Sequence, residues 1–134
     1  MIDHFGHVQA ADGVASKGWE TLLRLARLPH VWFKLIGPYR ISTQRPFYPD
    51  VAPLAQALVA AAPGRCVWGT DWPHPNATHM PNDGDLAEAL GEWLPDAAAR
   101  HMVLVTWDRG SSRIHPCSLG FQITCRGWRP GDAS

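Results

Sequence analysis

The chain of 134 residues has no apolar run approaching the roughly 18–20 residues that a membrane-spanning helix needs. It has no net formal charge, with 12 Lys and Arg balancing 12 Asp and Glu. Nothing electrostatic therefore draws it to nucleic acid or to an anionic membrane. It has only 3 cysteines, at the scattered positions 66, 117 and 125. Such an odd, dispersed set suits neither a disulfide scaffold nor a metal ribbon, and Cys66, inside an apolar run, reads as an inert buried thiol. The opening MIDHFGH has neither a basic nor an apolar leader, so no secretory signal is expected and a cytoplasmic location is the default. No internal repeat is present. What remains is a globular composition, 46% hydrophobic and 18% charged, in a chain long enough for one core.

Up to Val105, short apolar runs alternate with helical patterns. Ile2 to His4 reads as the end of a strand. Between Ser16 and Leu28, Trp19, Leu22, Leu23 and Ala26 share one helical face; Ser16 is a plausible N-cap with Glu20 in the first turn, and Pro29 stops the helix. Val31–Ile36 reads as a buried strand closed by Gly37-Pro38. Asp50–Ala62 is a second helix, with Val51, Leu54, Ala55, Leu58 and Val59 in helical register. Pro63-Gly64 ends it, and Cys66–Gly69 is the next strand. Asp83 can cap a third helix, whose apolar face is Leu86, Leu90, Trp93 and Leu94. Strands that alternate with helices and are apolar throughout predict an α/β fold with a parallel sheet covered on both faces.

The unusual polar residues follow those strands: His4 and His7, then Tyr39 and Arg40, then Asp71 and His74. In a parallel α/β architecture this is the C-terminal rim, where sites are built. Taken alone, each has an ordinary reading beside a functional one. Asp71 in VWGTDWPHP is a turn former, a metal ligand or a general base. His74, held between two prolines, is a structural histidine bonded to backbone or a site residue of fixed ring direction. Arg40 is a solvated loop cation or a two-pronged carboxylate binder beside Tyr39. His4 and His7 can ligate a divalent metal through neutral imidazole, although their spacing matches no strong zinc motif. His30, His79, His101 and His115 form no constellation. Together, an acid, imidazoles and a guanidinium at successive strand ends suit attack of water on a carbonyl.

The segments IDHFGH, VWFKLIGPYRIS, YPDVAPLAQALVAAAPGRCVWGTDWPHPN and MPNDGDL resemble the second half of the amidohydrolase superfamily, in the branch of the 2-pyrone-4,6-dicarboxylate lactonases. The resemblance covers residues 1–105, and its specific blocks are KLIGPYR and GTDWPHP. It implies the last three or so βα units of a (β/α)8 TIM barrel. It also implies roles. Asp71 activates the hydrolytic water. His4 polarises the carbonyl, or ligates metal in metal-dependent relatives. Arg40 grips a substrate carboxylate, and Tyr39 and His74 support the substrate site. It leaves the cofactor open, either a divalent metal such as zinc on His4 and Asp71, or none, as in the lactonase-like branch. The His-x-His pair of the family's first strand has no counterpart upstream of His4.

The activity so implied is hydrolysis of a lactone or a related C–O or C–N bond of a carboxylated, anionic small molecule. The chain is expected to be a fragment, inactive alone, with open strand edges that invite self-association. The alternative is a non-catalytic remnant or a self-assembling half barrel. From Thr106 the composition changes abruptly and the family's usual continuation is missing. Residues 106–134 are expected to be an irregular tail, disordered or badly packed, with a weak strand at most over Leu119–Ile123, and the change suggests translation in a different frame or from another gene piece.

Overall fold

The computed structural model describes residues 1–105, so the expectations for the tail at 106–134 lie outside the described residues. Within them, Ile2 pairs in parallel with Phe33, and strand β1 (Phe33–Leu35) pairs in parallel with strand β2 (Cys66–Trp68). Three chain segments thus run side by side in one direction. The predicted Val31–Ile36 strand shortens at both ends, Cys66–Gly69 loses only its last residue, and the first strand is a single bridge rather than a ladder. Helix α1 (Lys17–Ala26) leads into β1, α2 (Ala52–Ala61) leads into β2, and α3 (Asp83–Trp93) follows β2. This order fits part of a (β/α) barrel.

Each helix forms where its apolar spacing and caps allow. In α1, Trp19, Leu22 and Ala26 are buried on one face, and the Ser16 hydroxyl accepts the Trp19 N–H at 3.3 Å, as the sequence predicts. The C-terminus of α1 is closed from a distance. Arg65, immediately before β2, donates to the carbonyls of Ala26, Leu28 and Val31 at 2.7–2.8 Å. A guanidinium suits those orphan carbonyls because it supplies several planar donors and a charge that opposes the helix dipole. Helix α2 buries Leu54, Ala55 and Leu58, and its first predicted turn is a separate 3₁₀ turn, Pro49–Val51, which buries Val51.

The cap of α3 is Asn82, not Asp83. The Asn82 carboxamide accepts the N–H groups of Gly84 and Asp85 at 2.7 and 3.3 Å. A fourth helix, α4 (Ala97–Val105), was not anticipated; Asp96 caps it by accepting the Ala99 N–H at 2.8 Å, and it packs back on β2.

The core lies between the sheet and α1, α2 and α3. Trp19 and Trp93 are fully buried, and the Trp93 indole N–H is shared between the carbonyls of Phe47 and Tyr48 at 3.0 and 3.1 Å. Phe5 meets Trp93 edge to face, ring centroids 6.0 Å apart. These aromatic contacts fix the floor beneath the rim. Among the described residues, no helix is long and apolar enough to cross a membrane.

Candidate active site

Three successive segments at the C-terminal ends of the parallel strands converge on Asp71. The first leaves Ile2 through four left-handed residues, His4 to His7, with φ of 49, 51, 63 and 57°. That turn drives Phe5 into the core and carries the His4 ring over the sheet end. The second segment leaves β1 through Gly37, at φ 60°, into the 3₁₀ turn Pro38–Arg40, which supplies Tyr39 and Arg40. The third leaves β2 and places Asp71 at φ 65° and His74 at φ 57°. A side chain in the left-handed region is strained, and such strain concentrates at sites held by their surroundings.

The two oxygens of the Asp71 carboxylate are unequal. Oδ2 accepts the Tyr39 hydroxyl at 2.6 Å, the Arg40 Nε–H at 3.1 Å and His4 Nε2 at 3.2 Å, whereas Oδ1 shares only His4 Nε2, also at 3.2 Å. The cluster is mostly withdrawn from water, with the side chains of His4, Asp71 and Arg40 13–16% exposed. Burial alone would push the Asp71 carboxyl up. Hydrogen bonds from Tyr39, His4 and Arg40 and the charge of His4 outweigh it and hold the carboxyl below its ordinary range. The Tyr39 phenol is held far above its usual value by its own burial and then by its bond to the Asp71 anion.

Arg40 is tied down rather than solvated. Besides Asp71, it donates through Nη2 to the Pro75 carbonyl at 2.7 Å, and its Cζ lies 5.5 Å from the centre of the Tyr39 ring. These bonds leave Nη1 as the nitrogen not committed to them. His74 is buried, and its ring bonds to a side chain rather than to backbone, with Nε2 3.0 Å from Asp83 Oδ1. His7 is exposed, its ring tilted against His4 at 5.0 Å.

Two residues of the site escaped the sequence reading. A Cβ on Gly37 would stand 2.8 Å from the His4 ring, 3.0 Å from Asp71 Oδ2 and 3.2 Å from the Arg40 side chain, so the absence of a side chain there is what lets the cluster close. The signal was present, a Gly-Pro directly after a strand. Asp83 was taken for a helix cap. His79, set aside as belonging to no constellation, lines a cavity of about 570 Å³ on the same rim with Arg45, Tyr48 and Asp85; its lining does not include the Asp71 cluster.

The metal expectation can be tested against the donors present. His4 and Asp71 face one another directly, and among the described residues no three His, Cys, Asp or Glu side chains could hold an ion together. A structural or catalytic zinc normally takes at least three protein ligands. The residues described in this chain therefore do not make such a site by themselves. Cys66 is buried and its thiol is pushed up to about 12 by burial, which matches an inert role.

Comparison with known proteins identifies the family and the fold. The amidohydrolase family model matches residues 1–106. A 4-sulfomuconolactone hydrolase of Hydrogenophaga intermedia is 49% identical over 108 residues, covering 78% of this chain and 36% of the relative. A D-galactarolactone isomerase of Agrobacterium fabrum is 41% identical over 121 residues, covering 87% of this chain and 41% of the relative. A solved Pseudomonas putida structure, 32% identical, superposes with a TM-score of 0.67 over 81% of this chain and 40% of its own. The chain thus spans about two fifths of the length of the relatives it matches. It belongs to the amidohydrolase family.

Proposed function

We propose that this chain carries the water-activating part of a lactone hydrolase site, acting on a lactone or related C–O or C–N bond of a carboxylated small molecule. The observation that carries the reading is the asymmetry of Asp71, with one oxygen saturated by three donors and the other left half-open at a strand end. Water bonded to Oδ1 gives its proton to that oxygen as its own oxygen attacks the lactone carbonyl carbon. As the proton arrives on Oδ1, the His4 Nε2–H is released from that oxygen and donates, with the Arg40 guanidinium, to the carbonyl oxygen as it becomes negative. The tetrahedral adduct then collapses, the ring C–O bond breaks, and the proton held on Asp71 passes to the leaving oxygen.

A carboxylate held below its ordinary range is ionised at neutral pH but is a weak base. Stabilisation of the developing oxyanion then adds to what proton removal supplies. The uncommitted Nη1 of Arg40 fits an anionic group on the substrate. The names of two relatives, both 4-sulfomuconolactone hydrolases, support this substrate class.

The test is lactone hydrolysis by the purified chain, alone and mixed with a polypeptide matching the remaining N-terminal part of a curated relative. The chain alone is expected to be inactive, and the mixture active. In the mixture, Asp71→Asn is expected to lower turnover about 10²–10⁴-fold, the range that a positioned base supplies. Full turnover with Asp71→Asn sinks the reading. The edges of the small sheet favour a second one, a half barrel that assembles with itself, with Ile2 and β2 pairing across copies. A discrete dimer by light scattering supports it, and a monomer excludes it.

A further inference from the structure

His74 and Asp83 lie nine positions apart on a loop and a helix start, and neither has a role in the chemistry above. Their arrangement nonetheless bears on Asp71 from two sides. The His74 main-chain N–H donates to the Asp71 carbonyl at 2.7 Å, closing the turn that carries the acid. Its ring meets the Tyr39 ring edge to face, centroids 5.9 Å apart and planes at 82°, and Tyr39 is the residue whose hydroxyl holds Asp71 Oδ2. The ring is 3% exposed, so its direction is set by what it touches. At its far end stands the Asp83 carboxylate, 3.0 Å from Nε2.

Asp83 is free for this because Asn82 does the capping of α3. The turn is not a relaxed one. Asp71 and His74 both sit in the left-handed region, which non-glycine residues adopt at a cost that surrounding contacts offset. A hydrogen bond from a buried imidazole to a carboxylate is the kind of restraint that does so, being charge-assisted.

We infer that Asp83 is a positioning residue for Asp71: its carboxylate orients the buried His74 ring, which braces both the backbone turn and the Tyr39 ring that hold the acid. The inference deepens the functional reading above and rests on it for its purpose, but its test does not need substrate.

The test is amide hydrogen exchange at His74 in the full chain, read by NMR with the imidazole nitrogen signals of the same residue. Asp83→Ala is expected to speed exchange at the His74 amide about tenfold and to shift its Nε2 signal. Asp83→Asn, which keeps an oxygen to accept the Nε2–H, is expected to restore most of the protection. Asn82→Ala removes the true cap and is expected to speed exchange at Gly84 and Asp85 while leaving His74 unchanged. The Leu58 amide in α2 reports whether each variant is folded. Equal exchange at His74 in native and Asp83→Ala proteins overturns the inference. So does equal acceleration by Asn82→Ala, or an Asp83→Asn that restores nothing. Since no turnover is measured, these outcomes are separate from the fate of the hydrolase reading, which Asp71→Asn decides.

Discussion

The two ends of the small parallel sheet are built on opposite terms. At the C-terminal rim, the segments after Ile2, β1 and β2 contain all seven positive-φ non-glycine residues of the described chain: His4, Phe5, His7, Tyr48, Asp71, His74 and Asn76. At the other end, the connections from α1 to β1 and from α2 to β2 are short, and the one positive-φ residue in them is Gly64. That end is tied by Arg65, whose guanidinium reaches three carbonyls around the end of α1. The difference teaches where this fold tolerates strain. One end is relaxed and cross-linked, while the other is contorted and holds a mostly buried polar cluster, a division expected when one end carries chemistry and the other stability.

The strongest attack on this contrast is Gly37→Ala. The new Cβ is strained at φ 60° and collides with His4, Asp71 and Arg40. Activity of the complemented enzyme is expected to fall about 10²-fold, the scale of a misplaced catalytic group. The fold should lose only about 1–2 kcal/mol, the cost of a left-handed non-glycine residue. A steady-state assay beside a urea melt reads both. Arg65→Ala should do the reverse, lowering stability by about 2–3 kcal/mol through lost charged hydrogen bonds and leaving the Asp71 cluster assembled. A similar loss of activity per unit of stability in both variants would erase the distinction.

A third effect is in pH. Asp71 titrates lower in the folded chain than unfolded, so the folded state binds its proton less readily. Its contribution to stability is therefore present above the unfolded carboxylate range and is lost as pH falls through the folded value. Urea midpoints measured on descending pH should drop more steeply for the native chain than for Asp71→Asn. The smallest expected effect is Ser16→Ala, about 1 kcal/mol from the loss of one N-cap bond far from the cluster, with activity unchanged.

Much of this was legible in the sequence because it is local. The spacing of Trp19, Leu22 and Ala26 gave α1 its buried face, and Ser16 announced its start. The placement of His4, Tyr39, Arg40, Asp71 and His74 after apolar runs put them on one rim, and the structure brings His4, Tyr39 and Arg40 onto Asp71. What stayed hidden depends on distance or on choices between equivalent groups. Arg65 is 39 positions from the carbonyl of Ala26 that it holds, and no periodicity encodes such a bond. Asn82 and Asp83 are both good caps; only the fold shows that the amide takes the helix and the acid takes His74. Helix α4 was overlooked although Pro95-Asp96 marks its start, because a single buried residue, Val103, gives it almost no apolar stripe.

One feature of the rim reaches beyond its chemistry. His4 and Asp71, the most widely separated members of the cluster, are 67 positions apart, and Tyr39 and Arg40 lie between them. The acid and every side chain that holds its two oxygens therefore fall within one continuous segment of the chain, His4 to Asp71. A polypeptide that contains this segment contains the whole cluster, whatever sequence flanks it.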